Sequence, residues 1–283
     1  MKYETLPNTS THLIGQSARR LTIPKIGFGT WSIGGDSTAN PKIDSASLTA
    51  LHSALEIGYT HFDTAESYAA GHSEELVGRA VRETNTQREN VFITTKVSPE
   101  HLDYNDVLKS CDNSLRRLKL DYIDLYLIHW PGFGVKYEET FRALNKLVRA
   151  GKIRHLGVSN FKLKLLKQVQ ELSETPILTN QVPYRIPDRT YAENGVIAYC
   201  QQNNILVTAY SPVKFRGVNG NKALGEIAEA HSATPFQIAL AWLIMQPHVI
   251  TIPMSFSPQH IKENFEAAKI ELSEEEMARL TNE

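Results

Sequence analysis

Short apolar runs alternate along the chain with longer segments in which apolar residues recur every three or four positions. Runs rich in β-branched and aromatic residues, such as Val91–Val97 and Ile123–Trp130, predict buried strands. The segment with Val107, Cys111 and Leu115 on one face predicts an amphipathic helix. Because strand and helix patterns follow each other in strict alternation, the pattern predicts parallel strands joined by helical crossovers.

Eight such strand–helix units are predicted, with no linker-like stretch between them, so residues 1–283 are expected to form a single domain. Eight units in this length favour a (β/α)8 TIM barrel of the α/β class. An open doubly wound sheet fits less well, because Gly27-Phe28-Gly29 is followed by Thr30-Trp31 without the third glycine of a dinucleotide-binding loop. The predicted strands are Ile23–Trp31, Thr60–Phe62, Val91–Val97, Ile123–Trp130, Ile153–Val158, Ile177–Val182, Ile205–Tyr210 and Val249–Ile252.

Between these strands, Asp44 is expected to cap the first helix and Thr234-Pro235 to begin a later one. The polar segment Met1–Arg20 lacks the apolar stretch of a signal peptide, and an insertion with Gly217 and Gly220 follows the seventh strand. We therefore expect a cytoplasmic protein, monomeric or weakly homo-oligomeric.

The overall charge and composition exclude several function classes. The formal net charge is −1, so the sequence predicts neither a nucleic-acid nor a membrane partner. The 2 cysteines are too few for a disulfide framework. His61-x-Asp63 resembles the start of a metal site, but no second histidine pair or carboxylate-rich strand end completes it, so no metal is expected.

Polar or ionisable residues stand at most of the predicted strand ends, which is where TIM barrels place their active sites. A phenol such as that of Tyr68 has a pKa near ~10 and exchanges protons poorly at neutral pH. A lysine ammonium, here Lys96, about 4 Å away is worth roughly 4 kcal/mol, so we expect it to lower the tyrosine pKa by up to ~3 units. Asp63 is expected to keep Lys96 charged, and His129 either to donate a hydrogen bond to the reacting oxygen or to relay its proton.

These four groups suit protonation of a carbonyl oxygen while a hydride attacks the carbon, which requires a nicotinamide cofactor. The later strand ends fit such a cofactor. Ser159, Asn160 and Gln181 can bracket a carboxamide, and Tyr210 offers a flat face for ring stacking. Two further strand ends lie where barrels commonly bind phosphate, and they carry Ser211 and Ser255.

Taken together, these segments resemble the aldo-keto reductases over essentially the whole chain, in the order and spacing of that family. The segments that carry the resemblance are Gly27–Trp31, Asp63–Ala65 with Tyr68, Thr95-Lys96, Leu127–Pro131, Gly151–Arg154, Gly157–Phe161, Asn180–Val182, Ala209–Pro212 and Ile252-Pro253. The resemblance implies reversible NAD(P)H-dependent reduction of aldehydes and ketones, with a catalytic tetrad of Asp63, Tyr68, Lys96 and His129.

In that family the tyrosine is the general acid of reduction, and here the resemblance assigns this role to Tyr68. It also places Trp31 and Trp130 in the substrate pocket, which we expect to be open and loosely selective. The implied cofactor contacts are Ser159, Asn160, Gln181, Tyr210, Ser211, Ser255, His260, Glu263 and Asn264.

The cofactor-phosphate segment departs from the family pattern. Met254 and His260 stand where the family commonly has a lysine and an arginine that bind the 2′-phosphate of NADPH. Histidine is positively charged only when protonated. NADP remains the expected cofactor, with NAD possible.

Two alternatives stay open at this point. A Schiff-base aldolase also carries a strand-end lysine, but its chemistry requires Lys96 to be neutral and unpaired. A non-catalytic nucleotide-binding module would need no tetrad.

Overall fold

The computed structural model describes residues 2–6, 21–214 and 218–282 of the chain. The predicted lead-in therefore lies largely outside the described residues, as does Gly217. The strands are β1 (Tyr3–Leu6), β2 (Leu21–Pro24), β3 (Phe28–Gly29), β4 (His61–Asp63), β5 (Phe92–Val97), β6 (Ile123–Ile128), β7 (Ile153–Ser159), β8 (Ile177–Pro183), β9 (Leu206–Tyr210) and β10 (Val249–Thr251). The helices are α1 (Asp44–Ile57), α2 (His72–Glu83), α3 (Tyr104–Leu118), α4 (Tyr137–Arg149), α5 (Leu163–Leu172), α6 (Thr190–Glu193), α7 (Val196–Gln202), α8 (Lys222–Ala230), α9 (Pro235–Ile244), α10 (Pro258–Glu266) and α11 (Glu274–Thr281).

Strands β3 to β10 form one 8-stranded sheet in sequential order, and every neighbouring pair is parallel. Backbone hydrogen bonds join its two edges: Gly27 N donates to Thr251 O at 2.8 Å, and Thr251 N donates to Lys25 O at 2.9 Å. Thus the sheet curls round on itself with helices on its outside, and the predicted (β/α)8 barrel is confirmed. The division into a single domain stays a prediction.

The prediction of one continuous strand over Ile23–Trp31 is wrong. Pro24 ends β2, which pairs antiparallel with β1, and only the two residues Phe28 and Gly29 belong to the barrel sheet. The β1–β2 pair lies against one end of the barrel. There Ile23 packs with interior residues that include Leu125, Leu178 and Ile250, so this apolar run fills the barrel instead of extending its sheet.

Several element ends also differ from prediction. Asp44 is the first residue of α1 and not its cap, because a short 3-10 turn over Pro41–Ile43 leads directly into the helix. Strand β6 stops at Ile128, so His129 and Trp130 lie in the loop beyond it. Thr234 caps α9 through a capping box with Gln237, and Pro235 occupies the first turn, as predicted. Among the helices of the described residues, none has the length and apolar content needed to cross a bilayer.

Candidate active site

A buried ion pair between Asp63 and Lys96 lies at the centre of the site. Asp63 ends β4, and Lys96 lies on the neighbouring β5, one residue before its end. Lys96 Nζ is 2.5 Å from Asp63 Oδ1 and donates to the backbone oxygen of Thr64 at 2.7 Å. Both side chains are almost completely buried, at 0% and 2% exposure. The predicted pairing of this lysine with this carboxylate is present.

The loop after β4 brings the Tyr68 phenol to the same lysine. Lys96 Nζ lies 3.4 Å from the Tyr68 hydroxyl. Ala69 and Ala70 have left-handed backbone conformations, with φ of 50° and 54°, and Ala69 N donates to Asp36 O at 2.7 Å. Such conformations cost free energy in residues other than glycine, so this turn holds the tyrosine in place against local preference.

Burial and the neighbouring charges act on the tetrad pKa values in opposite directions. Lys96 lowers the pKa of Tyr68, but burial raises it more, so the pKa of the phenol lies above its ordinary value. The expected lowering is therefore wrong in its net sign, because desolvation of the phenolate outweighs the nearby cation. Asp63 raises the pKa of Lys96 above its ordinary value despite burial. A charged, paired lysine is a poor amine nucleophile, which argues against the Schiff-base alternative.

His129 faces Tyr68 from the next loop, with ring centroids 5.6 Å apart in an edge-on arrangement. Burial and the charge of Lys96 lower the pKa of His129 to about 3, so its imidazole is neutral at physiological pH. Its Nδ1 lies 3.3 Å from the Ser67 hydroxyl, and its backbone oxygen accepts from Asn160 Nδ2 at 3.2 Å. Thus the side chain of Ser67 contacts the ring of His129, and the side chain of Asn160 contacts its backbone.

The amide and hydroxyl groups expected to bracket a carboxamide lie together at the ends of β7 and β8. Gln181 Nε2 donates to Asp63 Oδ2 at 2.8 Å, so this amide is connected directly to the buried ion pair. Asn160 Nδ2 donates to Ser159 Oγ at 2.9 Å, and Tyr210 OH donates to Asn160 Oδ1 at 3.0 Å. Ser159 Oγ in turn donates to the backbone oxygen of Gln181 at 2.9 Å, so this main-chain contact connects the two groups into one hydrogen-bonded network.

A cavity of about 810 Å³ opens onto these groups. Trp31 and Trp130 line it and are 49% and 47% exposed, and the edge of Trp31 meets the ring of Tyr68 with centroids 5.0 Å apart. The cavity continues past Tyr210 to Lys214 and Met254. Its lining combines donors and acceptors for a carboxamide with aromatic faces, so its chemistry fits a nicotinamide nucleotide.

The remaining predicted cofactor residues divide into two groups. Ser211 lines the cavity, whereas Ser255, His260, Glu263 and Asn264 are not among its lining residues. Ser255 Oγ accepts from Ser257 N at 3.1 Å, just before α10, and the other three lie on that helix. The structure therefore places this second group on and just before α10, shortly after the lining residue Met254 in the chain.

Sequence reasoning missed two polar contacts of the site. The hydroxyl of Ser67 reaches His129, and the hydroxyl of Tyr191 donates to Asn160 O at 3.3 Å. The position of Ser67 directly before Tyr68 is a signal that the sequence contained. Tyr191 lies in the four-residue helix α6, eight residues after β8, and so short an element has no periodicity that could indicate it.

Within residues 2–6, 21–214 and 218–282, no cluster of three or more histidine, cysteine or carboxylate side chains is arranged to hold a metal ion. Both cysteines, Cys111 and Cys200, are buried and free.

Comparison with known proteins gives the same family throughout. A sequence model of the Aldo/keto reductase family matches residues 25–282. Methylglyoxal reductase YeaE of Escherichia coli K12 is 38% identical over 92% of this chain and 90% of its own length. The thermostable aldo-keto reductase Tm1743, solved with the inhibitor epalrestat, is 42% identical, with a TM-score of 0.91 over 100% of this chain and 99% of its own.

A third relative was solved with a nucleotide. An aldo/keto reductase from Klebsiella pneumoniae, in complex with NADP and acetate, is 37% identical, with a TM-score of 0.84 over 93% of this chain and 92% of its own. The family match and the overall similarity both indicate a nicotinamide cofactor and small-molecule carbonyl substrates. The chain belongs to the aldo-keto reductase family and is an NAD(P)H-dependent oxidoreductase.

Proposed function

We propose that this protein reduces small aldehydes and ketones, with Tyr68 as the proton donor to the carbonyl oxygen. The observation that carries the proposal is the contact of the Tyr68 hydroxyl with Lys96 Nζ at 3.4 Å, where Lys96 is itself paired with Asp63. When bound, a reduced nicotinamide cofactor supplies a hydride. The protein's own contribution is to position the carbonyl and deliver the proton.

Tyr68 is suited to donating a proton because burial keeps its phenol protonated at neutral pH. The cation of Lys96 then stabilises the phenolate that forms as the proton leaves. Asp63 holds that cation in place and keeps it charged. His129, neutral at the working pH, is in position to donate a hydrogen bond to the same carbonyl oxygen.

For the cofactor, we propose that Ser159, Asn160 and Gln181 hold the carboxamide and that Tyr210 stacks on the nicotinamide ring. All four line the cavity next to the tetrad. Gln181 Nε2 is engaged by Asp63, which leaves its oxygen to accept from an amino group. The hydrogen bond from Gln181 to Asp63 thus ties cofactor placement to the proton-delivery groups.

We propose further that Ser211, Ser255, His260, Glu263 and Asn264 contact the phosphate and adenosine end. NADPH is the preferred cofactor, which the NADP complex of the Klebsiella pneumoniae relative supports. NADH is expected to work as well. Met254 and exposed His260 provide no permanent positive charge for a 2′-phosphate.

The substrate class follows from the cavity and from the relatives. Trp31 and Trp130 present half-exposed aromatic faces at the entrance, with room for a range of small carbonyl compounds. The similarity to a methylglyoxal reductase supports small, uncharged aldehydes with a second oxygen as a first choice. A cytoplasmic location and a monomeric or weakly associated state stay predictions.

The test is steady-state reduction of methylglyoxal and of an aromatic aldehyde with NADPH and NADH side by side. Tyr68→Phe should lower kcat by about 10²- to 10⁴-fold, the usual contribution of a positioned general acid. Binding of NADPH, measured by quenching of protein fluorescence, should change little in that variant. Reduction by Tyr68→Phe at the unchanged rate would show that another group delivers the proton.

A further inference from the structure

The hydroxyl of Ser67 is the one polar side-chain contact of the His129 ring among the described residues. Its oxygen lies 3.3 Å from Nδ1, while Nε2 has no hydrogen-bond partner in the described part of the chain. Both residues line the cavity that holds Tyr68. The imidazole therefore has one nitrogen engaged by the protein and the other left for whatever enters the cavity.

A neutral imidazole carries a single proton, and that proton can sit on either nitrogen. Burial and the nearby Lys96 cation keep the His129 ring neutral. A substrate carbonyl oxygen only accepts hydrogen bonds, so the ring can assist only when Nε2 carries the proton and Nδ1 is bare. A serine hydroxyl can donate to a bare Nδ1 or accept from a protonated one, so it is compatible with the arrangement that the substrate requires, whereas a backbone carbonyl in the same place would require a protonated Nδ1.

We infer that Ser67 is a positioning residue, whose hydroxyl donates to Nδ1 of His129 and so keeps the histidine proton on Nε2, facing the substrate carbonyl. This inference rests on the proposed function and deepens it.

The local backbone explains why Ser67 is able to hold this position. It directly precedes the 3-10 turn Tyr68–Gly71, and its backbone oxygen accepts from Ala70 N at 3.4 Å. The left-handed Ala69 and Ala70 fix that turn, so adjacent residues of one segment present a phenol and a hydroxyl towards the same imidazole. On the other side, Asn160 holds the backbone oxygen of His129.

The direct test is long-range ¹H–¹⁵N correlation spectroscopy at pH 7 on the full-length protein labelled with ¹⁵N-histidine. The chain has 10 histidines, and His129→Gln identifies the signals of this one. We expect a protonated Nε2 and a bare, hydrogen-bonded Nδ1. A protonated Nδ1 in the unaltered protein would overturn the inference.

Ser67→Ala should let the imidazole proton of His129 distribute between Nδ1 and Nε2, so that the ¹⁵N chemical shifts of the two nitrogens converge. It should also lower kcat for aldehyde reduction about fivefold, the equivalent of a net hydrogen bond of ~1 kcal/mol, with little change in the KM for NADPH. Ser67→Thr keeps the hydroxyl and should restore both the spectrum and kcat. Unchanged His129 shifts in Ser67→Ala would contradict the inference, as would failure of the threonine to restore them.

Ser98→Ala is the matched control, because Ser98 is also a cavity serine but makes no side-chain contact with His129 among the described residues. In Ser98→Ala, the ¹⁵N shifts of His129 should equal those of the unaltered protein. If the Nδ1 and Nε2 shifts converged in this variant as well, the effect would be a general one of the cavity, and the role inferred for Ser67 would be contradicted. The spectra do not depend on turnover. If the unaltered protein reduced no carbonyl compound, the proposed function would fail while the tautomer result still stood or fell on its own.

Discussion

At the residue scale, each carboxylate oxygen of the buried Asp63 accepts from a donor of its own. Oδ1 accepts from Lys96 and Oδ2 from Gln181, at 2.5 and 2.8 Å. Burying a charge without partners is very costly, and removing one member of a buried pair leaves the other uncompensated. The pair is therefore a requirement of the site more than a source of stability.

Asp63→Asn tests this balance. The amide removes the negative charge beside Lys96 and presents an N–H where Gln181 or Lys96 needs an acceptor. We expect the free energy of unfolding in urea to fall by about 3–5 kcal/mol and kcat to fall with it. Glu139→Gln provides the matched carboxylate-to-amide control, because its pair with Arg142 is exposed and should cost less than ~1 kcal/mol. Equal losses in the two variants would mean that burial of the Asp63 pair has no special energetic weight.

At the scale of elements, close packing of α2 against α3 holds the strand that carries Lys96. Glu74 of α2 is fully buried, pairs with Arg117 of α3 at 2.6 Å and accepts from Thr95 of β5 at 2.5 Å. Gly78 lies where α2 meets the end of α3, and a Cβ there would stand 2.0 Å from the backbone oxygen of Leu118. The two helices approach this closely only because residue 78 has no side chain.

Gly78→Ala should accordingly destabilise the protein by about 1–3 kcal/mol or more, since the added carbon meets backbone atoms that cannot rotate away. Gly225→Ala is the matched control within another helix, α8, where a Cβ would have no atom within 4 Å. There the change should stabilise by about 0.5–1 kcal/mol through helix propensity alone. Urea unfolding of both variants measures the difference; the same sign in both would contradict the packing argument.

At the scale of the whole molecule, closure of the barrel buries the ring of His61 fully and that of His129, at the cavity, in part. His61 is 1% exposed, and burial lowers its pKa to about 4, while that of His129 falls to about 3. Both folded-state values lie below the unfolded value of about 6.5. Between these limits the unfolded chain binds more protons than the folded one, so the free energy of unfolding declines as pH falls from about 6.5 towards 4.

His61→Gln should make that decline shallower by up to about 1.4 kcal/mol per pH unit, because one fewer proton is taken up on unfolding. The glutamine amide can still reach Thr94, whose hydroxyl lies 3.0 Å from His61 Nε2. The measurement is urea unfolding at several pH values from 4 to 7. An unchanged slope would show that His61 is not buried as a neutral ring. His52→Gln replaces a partly exposed histidine and is the control.

Much of the fold was predictable because it rests on local periodicity. The β-branched run of β5 and the repeat at Val107, Cys111 and Leu115 each matched the observed strand and helix. The first strand was not predictable in this way. The pattern of an apolar run is the same whether the run forms a strand of the sheet or packs into one end of the barrel. Only the contacts of Ile23 with interior residues that are distant in sequence distinguish the two.

By itself, the sequence determined the alternation of strands and helices and the placement of Asp63, Lys96 and Gln181 at or near strand ends. Both follow from the spacing of apolar and polar residues along the chain. The tertiary structure decided the proton affinities. Whether the charge of Lys96 or burial governs Tyr68 depends on how much water the closed barrel excludes, and burial prevailed. It also decided that Ser67 meets His129, since that contact joins loops from different strands through the turn at Ala69 and Ala70.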